Sequence, residues 1–389
     1  KEEFMERLDA LNNLKLRFSY GSVGNEAIGP YGSLSTANQN DYIFNGQIST
    51  GYIPGNSLPN PNLKWETSTT FNSALDFGLW NNRVTGTFEY YNTRTEDLLV
   101  SKTLNAALGY TSILSNIGEI ENKGFEFAIN GYVVDKKDFK INAGVIFSAN
   151  KNEIISLYGL DEDGDGIEDD DIGNKWFIGH PVDVVYDYQY AGIFQSQEEI
   201  DSSHQPDAQI GGIRLLDVDP NDGDLNPDDR VITKKDPDWI GTFNLDITYK
   251  NFDFTAQATT VQGRKMINPY YYSYNQGGDL RGLFNGIKQN YWTPENTTGD
   301  WPRPDGGNTP AFINTLGLQD ASFFRISLLS LGYTFPKTLT EKLNMGSIRL
   351  YSTARNPVTI TDYKSYSPDQ NPNAYPEQVS VVLGLQVTF

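Results

Sequence analysis

An acidic run in the middle of the chain has the residue types and spacing of a calcium-binding loop. Residues 161–171 read DEDGDGIEDDD, eight carboxylates in eleven residues. Carboxylate and carbonyl oxygens at alternate positions around a glycine turn are the ligands of an EF-hand-type loop. The matching residues are Asp161, Asp163, Asp165, Ile167 (through its carbonyl) and Asp169. Position 12 is Ile172, so Asp170 or Asp171 would have to supply the bidentate carboxylate. The run predicts a Ca²⁺ site, with Mg²⁺ as an alternative, against a bare solvated loop.

A second acidic loop, residues 217–230, has a weaker pattern. Its possible metal ligands are Asp217, Asp219, Asp222 and Asp224. The glycine expected at the sixth position is missing, so the metal interpretation competes with a solvated loop or one that pairs with Arg230.

Aromatic residues are concentrated between Asn268 and Trp301. Aromatic rings stack on the C–H faces of sugars, so these side chains are possible contacts to a substrate or to a partner that covers the loops. The alternatives are packing inside the loop or a girdle at a membrane interface. The residues are Tyr270, Tyr271, Tyr272, Tyr274, Tyr291 and Trp292.

No constellation for catalysis accompanies these loops. The two histidines, His180 and His204, are far apart in sequence, and no phosphate-binding glycine loop or Ser-His-Asp pattern occurs. The sequence therefore predicts a protein that is not an enzyme and needs no organic cofactor. A net charge of -20 argues against nucleic acid as a partner, because phosphate contacts require clustered Lys and Arg.

The elements that must position these loops are β-strands. Residues 139–149 alternate cleanly between apolar and polar side chains, and residues 242–250 and 252–260 do the same around a turn at Asn251. About twelve such strands can be identified in the chain. Residues 173–179 and 183–194 are counted among them, and a β-bulge is expected near Leu328-Leu329, where the apolar phase slips.

The predicted connections alternate in length. Short turns are expected near Asn81, Lys136, Pro181, Asn251 and Thr340, and long loops at about 23–62, 100–116, 151–172, 195–239, 261–321 and 359–378. Short periplasmic turns and long extracellular loops are typical of bacterial outer-membrane barrels. The sequence thus predicts an all-β protein, a transmembrane antiparallel up-and-down barrel in contact with outer-membrane lipid.

The last strand, residues 379–389, carries the same signal. Val381, Leu383, Leu385 and Val387 lie on one face, and the strand ends on Phe389, which is interpreted as a signal for membrane insertion. The chain begins KEEFMERLDALNN, without a signal segment, which is most simply explained by a longer protein of which this is the C-terminal part.

Several stretches resemble the C-terminal barrel region of SusC/RagA-type TonB-dependent transporters of Bacteroidota. They include NNLKLRFSYGSVGN (12–25), NLKWETSTTFNSALDFGLWNNRVTGTFEYYNTRTEDLL (62–99), NIGEIENKGFEFAING (116–131), PDWIGTFNLDITYKNFDF (237–254), SFFRISLLSLGYTFP (322–336) and SIRLYSTARNPVTITDYKSYSPD (347–369). Each is loosely specified, but together they run through the whole chain, residues 1–389, in family order.

The resemblance implies a barrel of about 22 strands, with a plug and a TonB-contacting segment that this chain does not contain. It also implies import of oligosaccharides, or of peptides, with a SusD-like surface lipoprotein as lid, the TonB complex as energy source and a homodimer of transporter–lid pairs. Two other hypotheses remain open at this stage. One is a SusC-like barrel that serves as a structural subunit of an outer-membrane assembly, and the other is a soluble secreted glycan-binding module.

Overall fold

The computed structural model describes most of the chain. The described residues are 9–26, 28–105, 107, 109–269, 290–304, 309–371, 374–375 and 377–389. Among them, no helix is both long enough and apolar enough to cross a membrane.

Strands dominate the described residues. They are β1 (Leu11–Asn25), β2 (Ala37–Phe44), β3 (Gln47–Pro54), β4 (Ser57–Leu58), β5 (Glu66–Leu79), β6 (Val84–Glu96), β7 (Leu99–Thr103), β8 (Ser112–Asn116), β9 (Glu119–Lys136), β10 (Phe139–Ser156), β11 (Val184–Asp187), β12 (Tyr190–Ile193), β13 (Ile213–Leu215), β14 (Val231–Lys234), β15 (Trp239–Tyr249), β16 (Phe252–Gln262), β17 (Lys265–Ile267), β18 (Leu318–Asp320), β19 (Phe323–Thr334), β20 (Ser347–Thr361) and β21 (Ser380–Thr388). Short helical segments occur at Gln197–Asp201, Pro227–Asp229, Ile313–Gly317, Lys337–Thr340 and Glu341–Leu343.

Ten of these strands form one large sheet in the order β1-β5-β6-β9-β10-β15-β16-β19-β20-β21. Each sheet strand is hydrogen-bonded to the sheet strand that follows it along the chain, which is an up-and-down meander. The all-β antiparallel prediction is confirmed. The remaining strands form five small sheets of two or three strands within the connections.

Two of the about twelve predicted strands lie outside the large sheet. Residues 173–179 form turns, with a single bridge between Asp171 and Trp176. Positive φ angles at Lys175 (60°) and Gly179 (81°) prevent a continuous extended backbone there. Residues 183–194 divide into β11 and β12, which pair with β14 and β13 in separate small sheets. The large sheet thus contains ten strands of this chain.

The connections of the large sheet alternate strictly in length. The short ones are residues 80–83, 137–138, 250–251 and 335–346, and the long ones are 26–65, 97–118, 157–238, 263–322 and 362–379. The expected turn near Pro181 falls inside the connection 157–238. Because successive strands of a meander run in opposite directions, all the long connections leave the same end of the strands.

The described part of the chain forms two compact units. The first comprises residues within 1–78, 87–126 and 150–182, and the second comprises residues within 79–86, 127–149 and 183–389.

In the first unit, one sheet face is lined with paired polar side chains. Arg17 Nε donates to Asp76 Oδ2 at 2.8 Å, and Thr87 Oγ1 donates to Asp76 Oδ1 at 3.0 Å. Cross-strand hydroxyl pairs continue the row at Ser68–Thr95 and Thr70–Thr93. On the other face of β1, Leu14, Leu16, Phe18 and Tyr20 are exposed. Such a strand has one wet face and one face suited to lipid.

In the second unit, the last two strands show the same division. Leu350 pairs with Leu385, Ser352 with Leu383 and Ala354 with Val381. Leu383 and Leu385 are 78% and 65% exposed, which confirms the predicted apolar face of β21. On the opposite face, Arg349 Nη2 is 2.5 Å from Asp253 Oδ2.

The predicted bulge lies in β19. Gln257 pairs with Leu328 and Ala258 with Ile326, so Ser327 has no counterpart on β16. The register to β20 shifts between the same two residues. The bulge is therefore confirmed, directly before the predicted Leu328-Leu329.

Candidate functional sites in the long connections

The first acidic loop (161–171) folds around its own backbone. The carboxylate of Asp161 accepts hydrogen bonds from the N–H groups of Gly164 (2.8 Å) and Gly166 (3.0 Å). Asp163 accepts from Asp165 N–H at 3.1 Å, and Asp165 from Ile167 N–H at 2.7 Å. Both glycines have positive φ angles, 79° and 85°, a conformation that side chains with a Cβ rarely adopt.

Three of the five predicted ligands converge. Asp161, Asp163 and Asp165, all exposed, each place one carboxylate oxygen within 4.8 Å of the others. Asp169 is used differently, because its carboxylate accepts the N–H of Glu162 at 2.6 Å. Ile172, at the position of the usual bidentate glutamate, is 58% exposed.

Asp170 and Asp171, which could have replaced that glutamate, form hydrogen bonds at the base of the loop instead. Asp170 accepts the N–H of Ile178 at 2.7 Å. Asp171 accepts the hydroxyl of Tyr158 at 2.5 Å and the side-chain N–H of Asn174 at 2.8 Å. Burial opposes ionisation of Asp171, but these hydrogen bonds outweigh it and lower the pKa of this carboxyl. The pKa of the Tyr158 hydroxyl is raised by burial and by the adjacent carboxylate.

The second acidic loop (217–230) is organised around a buried carboxylate that the sequence did not single out. Asp229 is 2% exposed and accepts the N–H groups of Val218 and Asn226, both at 2.8 Å. The hydrogen bond from Asn226 leads the causes that lower the pKa of Asp229. Arg230 lies over the rings of Tyr186 and Tyr188, 5.8 and 5.4 Å from their centroids.

The four predicted ligands of this loop are dispersed. Asp217 is 3.0 Å from His204 Nδ1. Asp219 accepts from Asn221, and Asp222 from Asp224 N–H and Asn226 Nδ2. Within the described ranges, Asp217, Asp219, Asp222 and Asp224 do not form a group with oxygens as close as those of the first loop. Metal binding here stays a prediction without geometric support.

The aromatic candidates are only partly described. Tyr270, Tyr271, Tyr272 and Tyr274 lie outside the described residues. Trp292 is 6% exposed and donates its indole N–H to Gln195 Oε1 at 2.9 Å. Tyr291 packs edge-on against Trp301, and burial raises its pKa. These two side chains have the surroundings expected for packing inside the loop.

A small hydrophobic core joins two of the long connections. Its buried members are Ile213, Leu215, Leu225, Trp301, Ile313 and Leu316, and Tyr188, Tyr190, Tyr291 and Phe312 pack against it. The connections 157–238 and 263–322 are therefore folded into a common structure with its own core.

A cleft of about 560 Å³ lies beside this core. It is lined by three of the long connections, 157–238, 263–322 and 362–379, and we call it the loop cleft. Its lining includes Tyr188, Tyr190, Lys265, Asp300, Asp320 and Asp362. No sequence motif marks these residues, because they come from connections that meet only in the folded chain.

A buried ionic network ties the last long connection to the sheet. Arg325, 6% exposed, contacts Asp369 at 2.6 Å and Glu377 at 2.7 Å. Burial works against ionisation of Asp369, but hydrogen bonds from Arg325 and Ser367 hold its pKa below the usual value. A paired, hydrogen-bonded charge of this kind fixes position because breaking it leaves a buried charge uncompensated.

Comparison with known proteins identifies the family. A profile described as "TonB dependent receptor-like, beta-barrel" matches residues 7–356. TonB-dependent receptor P26 of Formosa agariphila is 32% identical over 418 residues, and the alignment covers 100% of this chain and 41% of the relative. TonB-dependent receptor SusC of Bacteroides thetaiotaomicron is 31% identical over 410 residues, with 100% and 39% coverage.

Among solved structures, that of the RagAB peptide transporter matches with a TM-score of 0.79 and 28% identity. The match covers 100% of this chain and 42% of that chain. This chain thus spans about two-fifths of the length of the relatives it matches. The predicted resemblance to SusC- and RagA-type proteins and the outer-membrane location are confirmed, and the chain belongs to the TonB-dependent receptor β-barrel family.

Proposed function

We propose that the protein containing this chain is a TonB-dependent outer-membrane importer of the SusC/RagA type. The observation that carries the proposal is the family match over residues 7–356 on a ten-stranded meander. The strict alternation of connection lengths supports it, since it leaves elaborated loops at one end of the strands only, as in a transporter that captures cargo outside the cell. No bond is made or broken in such a process, so the role is transport and not catalysis.

The proposed partners follow from the same relationship. A SusD-like lipoprotein would cover the long connections, and the TonB complex would act through a part of the protein outside this chain. The loops of such an assembly must present folded surfaces to the lid, and the shared core around Trp301 gives that rigidity to the two connections that contribute to it. Pairing of two transporter–lid units into a homodimer belongs to the same proposal.

We further propose oligosaccharides as the cargo. Two other roles would use the same scaffold. The solved RagAB structures are those of a peptide transporter, so peptide import is the first alternative. A SusC-like structural subunit of an outer-membrane assembly is the second.

Uptake by intact cells tests the importer role. Cells with the full-length gene should accumulate labelled oligosaccharide, and deletion of the gene or inactivation of TonB should abolish this. Labelled peptides of equal length separate the two cargo classes. If deletion of the gene and inactivation of TonB both leave uptake unchanged, and deletion of the gene removes the lid lipoprotein from the outer membrane, the importer proposal fails and the structural role is supported.

A second proposal concerns the first acidic loop, which we propose binds Ca²⁺, with Mg²⁺ as the alternative. The convergence of Asp161, Asp163 and Asp165 supports it, because hard cations prefer several carboxylate oxygens. The ion would order the loop. Position 12 supplies no carboxylate, so the site depends on these three side chains and on water.

Calorimetry with the full-length protein tests the cation loop. Asp163→Ala and Asp165→Ala should each abolish the Ca²⁺ binding heat, while Asp222→Ala in the second acidic loop should leave it unchanged. Equal Ca²⁺ uptake by the wild type and the first two variants would refute the assignment.

A further inference from the structure

The loop cleft has the chemistry of a saccharide-binding site, although no motif marks it. Its volume of about 560 Å³ falls within the range of small-molecule sites. Only Leu316 and Leu318 among its lining residues have purely apolar side chains. A cleft with so many hydrogen-bonding groups is suited to a ligand that carries polar groups along its surface.

The carboxylates of the cleft are of two kinds. The carboxylate of Asp320 is already hydrogen-bonded within the protein, because it accepts hydrogen bonds from Lys265 Nζ at 2.9 Å and from the N–H of Ser322 at 2.8 Å. Asp300 and Asp362 are exposed, and within the described residues their carboxylates form no hydrogen bond or ion pair. The cleft thus presents two carboxylates that can accept hydrogen bonds from a ligand.

Donors stand beside these acceptors. Lys364 lines the same cleft, and its ammonium group has no ion-pair partner in the part of the chain that is described. The backbone around it is fixed, since Lys364 N–H donates to Gln319 Oε1 at 3.2 Å and Asn268 Nδ2 donates to the Lys364 carbonyl at 3.2 Å. A hydroxyl group both donates and accepts, so a polyhydroxylated ligand can use both kinds of group at once.

The charge of the cleft disfavours an anionic ligand. Asp300, Asp320 and Asp362 stand against Lys265 and Lys364, three carboxylates against two ammonium groups, and the chain as a whole carries -20. A polyanion would be repelled by this field.

The aromatic side of the cleft is held in place by the loop core. Tyr188 and Tyr190 line the cleft and pack against the core cluster, and Tyr188 contacts Phe312 edge-on at 5.7 Å between centroids. Arg230 already lies over the ring of Tyr188, so Tyr190 and the ring surface of Tyr188 that Arg230 leaves uncovered supply the contacts for the C–H patches of a sugar. A side chain already ordered by packing loses little entropy when a ligand binds.

We infer that the loop cleft is a binding site for a neutral saccharide. Asp300, Asp362 and Lys364 would hydrogen-bond to its hydroxyl groups, and Tyr188 and Tyr190 would contact its C–H surface. The inference rests on the proposed import function for the source of the ligand, and it assigns to cargo binding a place on this chain.

Calorimetry on the full-length transporter with its lid tests the site. The probes are neutral α- and β-glucan oligosaccharides and, for comparison, peptides of equal length. Asp300→Ala and Asp362→Ala should each weaken saccharide binding about tenfold, the effect of losing a hydrogen bond to a charged group. Asp228→Ala is the matched control, an exposed carboxylate of the same loop region outside the cleft, and should leave the affinity unchanged.

The outcomes separate the site from the import function. If the transporter binds no saccharide, or binds it equally well in both cleft variants, the inference is overturned, even where TonB-dependent uptake persists. If the cleft variants weaken peptide binding instead, the ligand class is wrong. If saccharide binding depends on the cleft but uptake does not require TonB, the site stands and the proposed function fails.

Discussion

The two acidic loops have similar compositions, but their carboxylates are arranged differently. In the first, residues 161–171, the carboxylates of Asp161, Asp163 and Asp165 are exposed and crowd within 4.8 Å of one another. In the second, residues 217–230, one carboxylate is buried, that of Asp229, and the backbone wraps around it. The first loop concentrates negative charge at its tip, whereas the second uses a single negative charge as an internal anchor.

The difference shows what each loop needs in order to be ordered. Like charges at close range destabilise the first loop tip unless a cation or water screens them. In the second loop, hydrogen bonds from Val218 and Asn226 satisfy the buried carboxylate. Substitutions that remove one stabilising group at a time test this difference between the loops.

The largest effect is expected from Asp229→Ala. The substitution leaves the N–H groups of Val218 and Asn226 without their acceptor, and each hydrogen bond to a charged group contributes about 1.5–3 kcal/mol. Hydrogen exchange at these two amides should accelerate by the corresponding factor, with no change in the first acidic loop. Asp228→Ala, one residue away and exposed, is the control. Unchanged exchange in Asp229→Ala would show that the second loop has another anchor.

Acidification should affect the same anchor in the wild-type protein. The pKa of Asp229 is lowered in the folded state, so its contribution is complete above the unfolded pKa of about 3.9 and is lost as pH falls through the lower folded value. Protection of the Val218 and Asn226 amides, corrected for intrinsic exchange, should therefore persist at pH 5 and decline below about pH 4. Loss of protection already between pH 7 and 5 would assign the order of this loop to another group.

A smaller effect is expected at the base of the first loop. Tyr158→Phe removes the hydroxyl that donates to Asp171 but leaves the hydrogen bonds from Asn174, a loss of about 1.5 kcal/mol. Exchange should increase at Asn174 N–H, while Ca²⁺ binding at the tip should survive because its three carboxylates are untouched. A variant that loses Ca²⁺ binding would show that base and tip are one unit.

The smallest effect is expected from Arg230→Lys. The charge remains, but the planar guanidinium that lies over Tyr186 and Tyr188 is lost, a change of about 0.5–1 kcal/mol. A slight rise in exchange at residues 226–230 should follow. An effect as large as that of Asp229→Ala would mean that Arg230, and not Asp229, organises the second loop.

Alternation in the sequence was sufficient for the large sheet. The apolar face of β21, the hairpin around Asn251 and the bulge in β19 were all predicted, because strand faces follow a period of two residues and a phase slip is visible along the chain. The error concerned residues 173–179 and 183–194, which the sequence predicted as barrel strands. Positive φ angles at Lys175 and Gly179 and pairing within small sheets exclude these segments from the large sheet.

In the loops, too, the sequence predicted some features and could not predict others. Spacing alone predicted that Asp161, Asp163 and Asp165 would converge, because all three lie on one short turn. Spacing could not distinguish Asp229 from its acidic neighbours, since burial depends on what packs above it, nor could it show that Trp292 donates to Gln195. The insertion role of Phe389, which is 91% exposed, stays a prediction.

The sequence by itself determined the class of this protein: strand periodicity, connection lengths and family stretches are properties of contiguous residues. Only the tertiary structure decided which loop residues share a site. Asp300 and Asp320 lie on the connection 263–322 and Asp362 lies on 362–379, and they line one cleft because hydrogen bonds of Asn268 and Gln319 to Lys364 join the two connections. The physical reason is that alternation is local, whereas a cleft is made by contacts between residues distant in sequence.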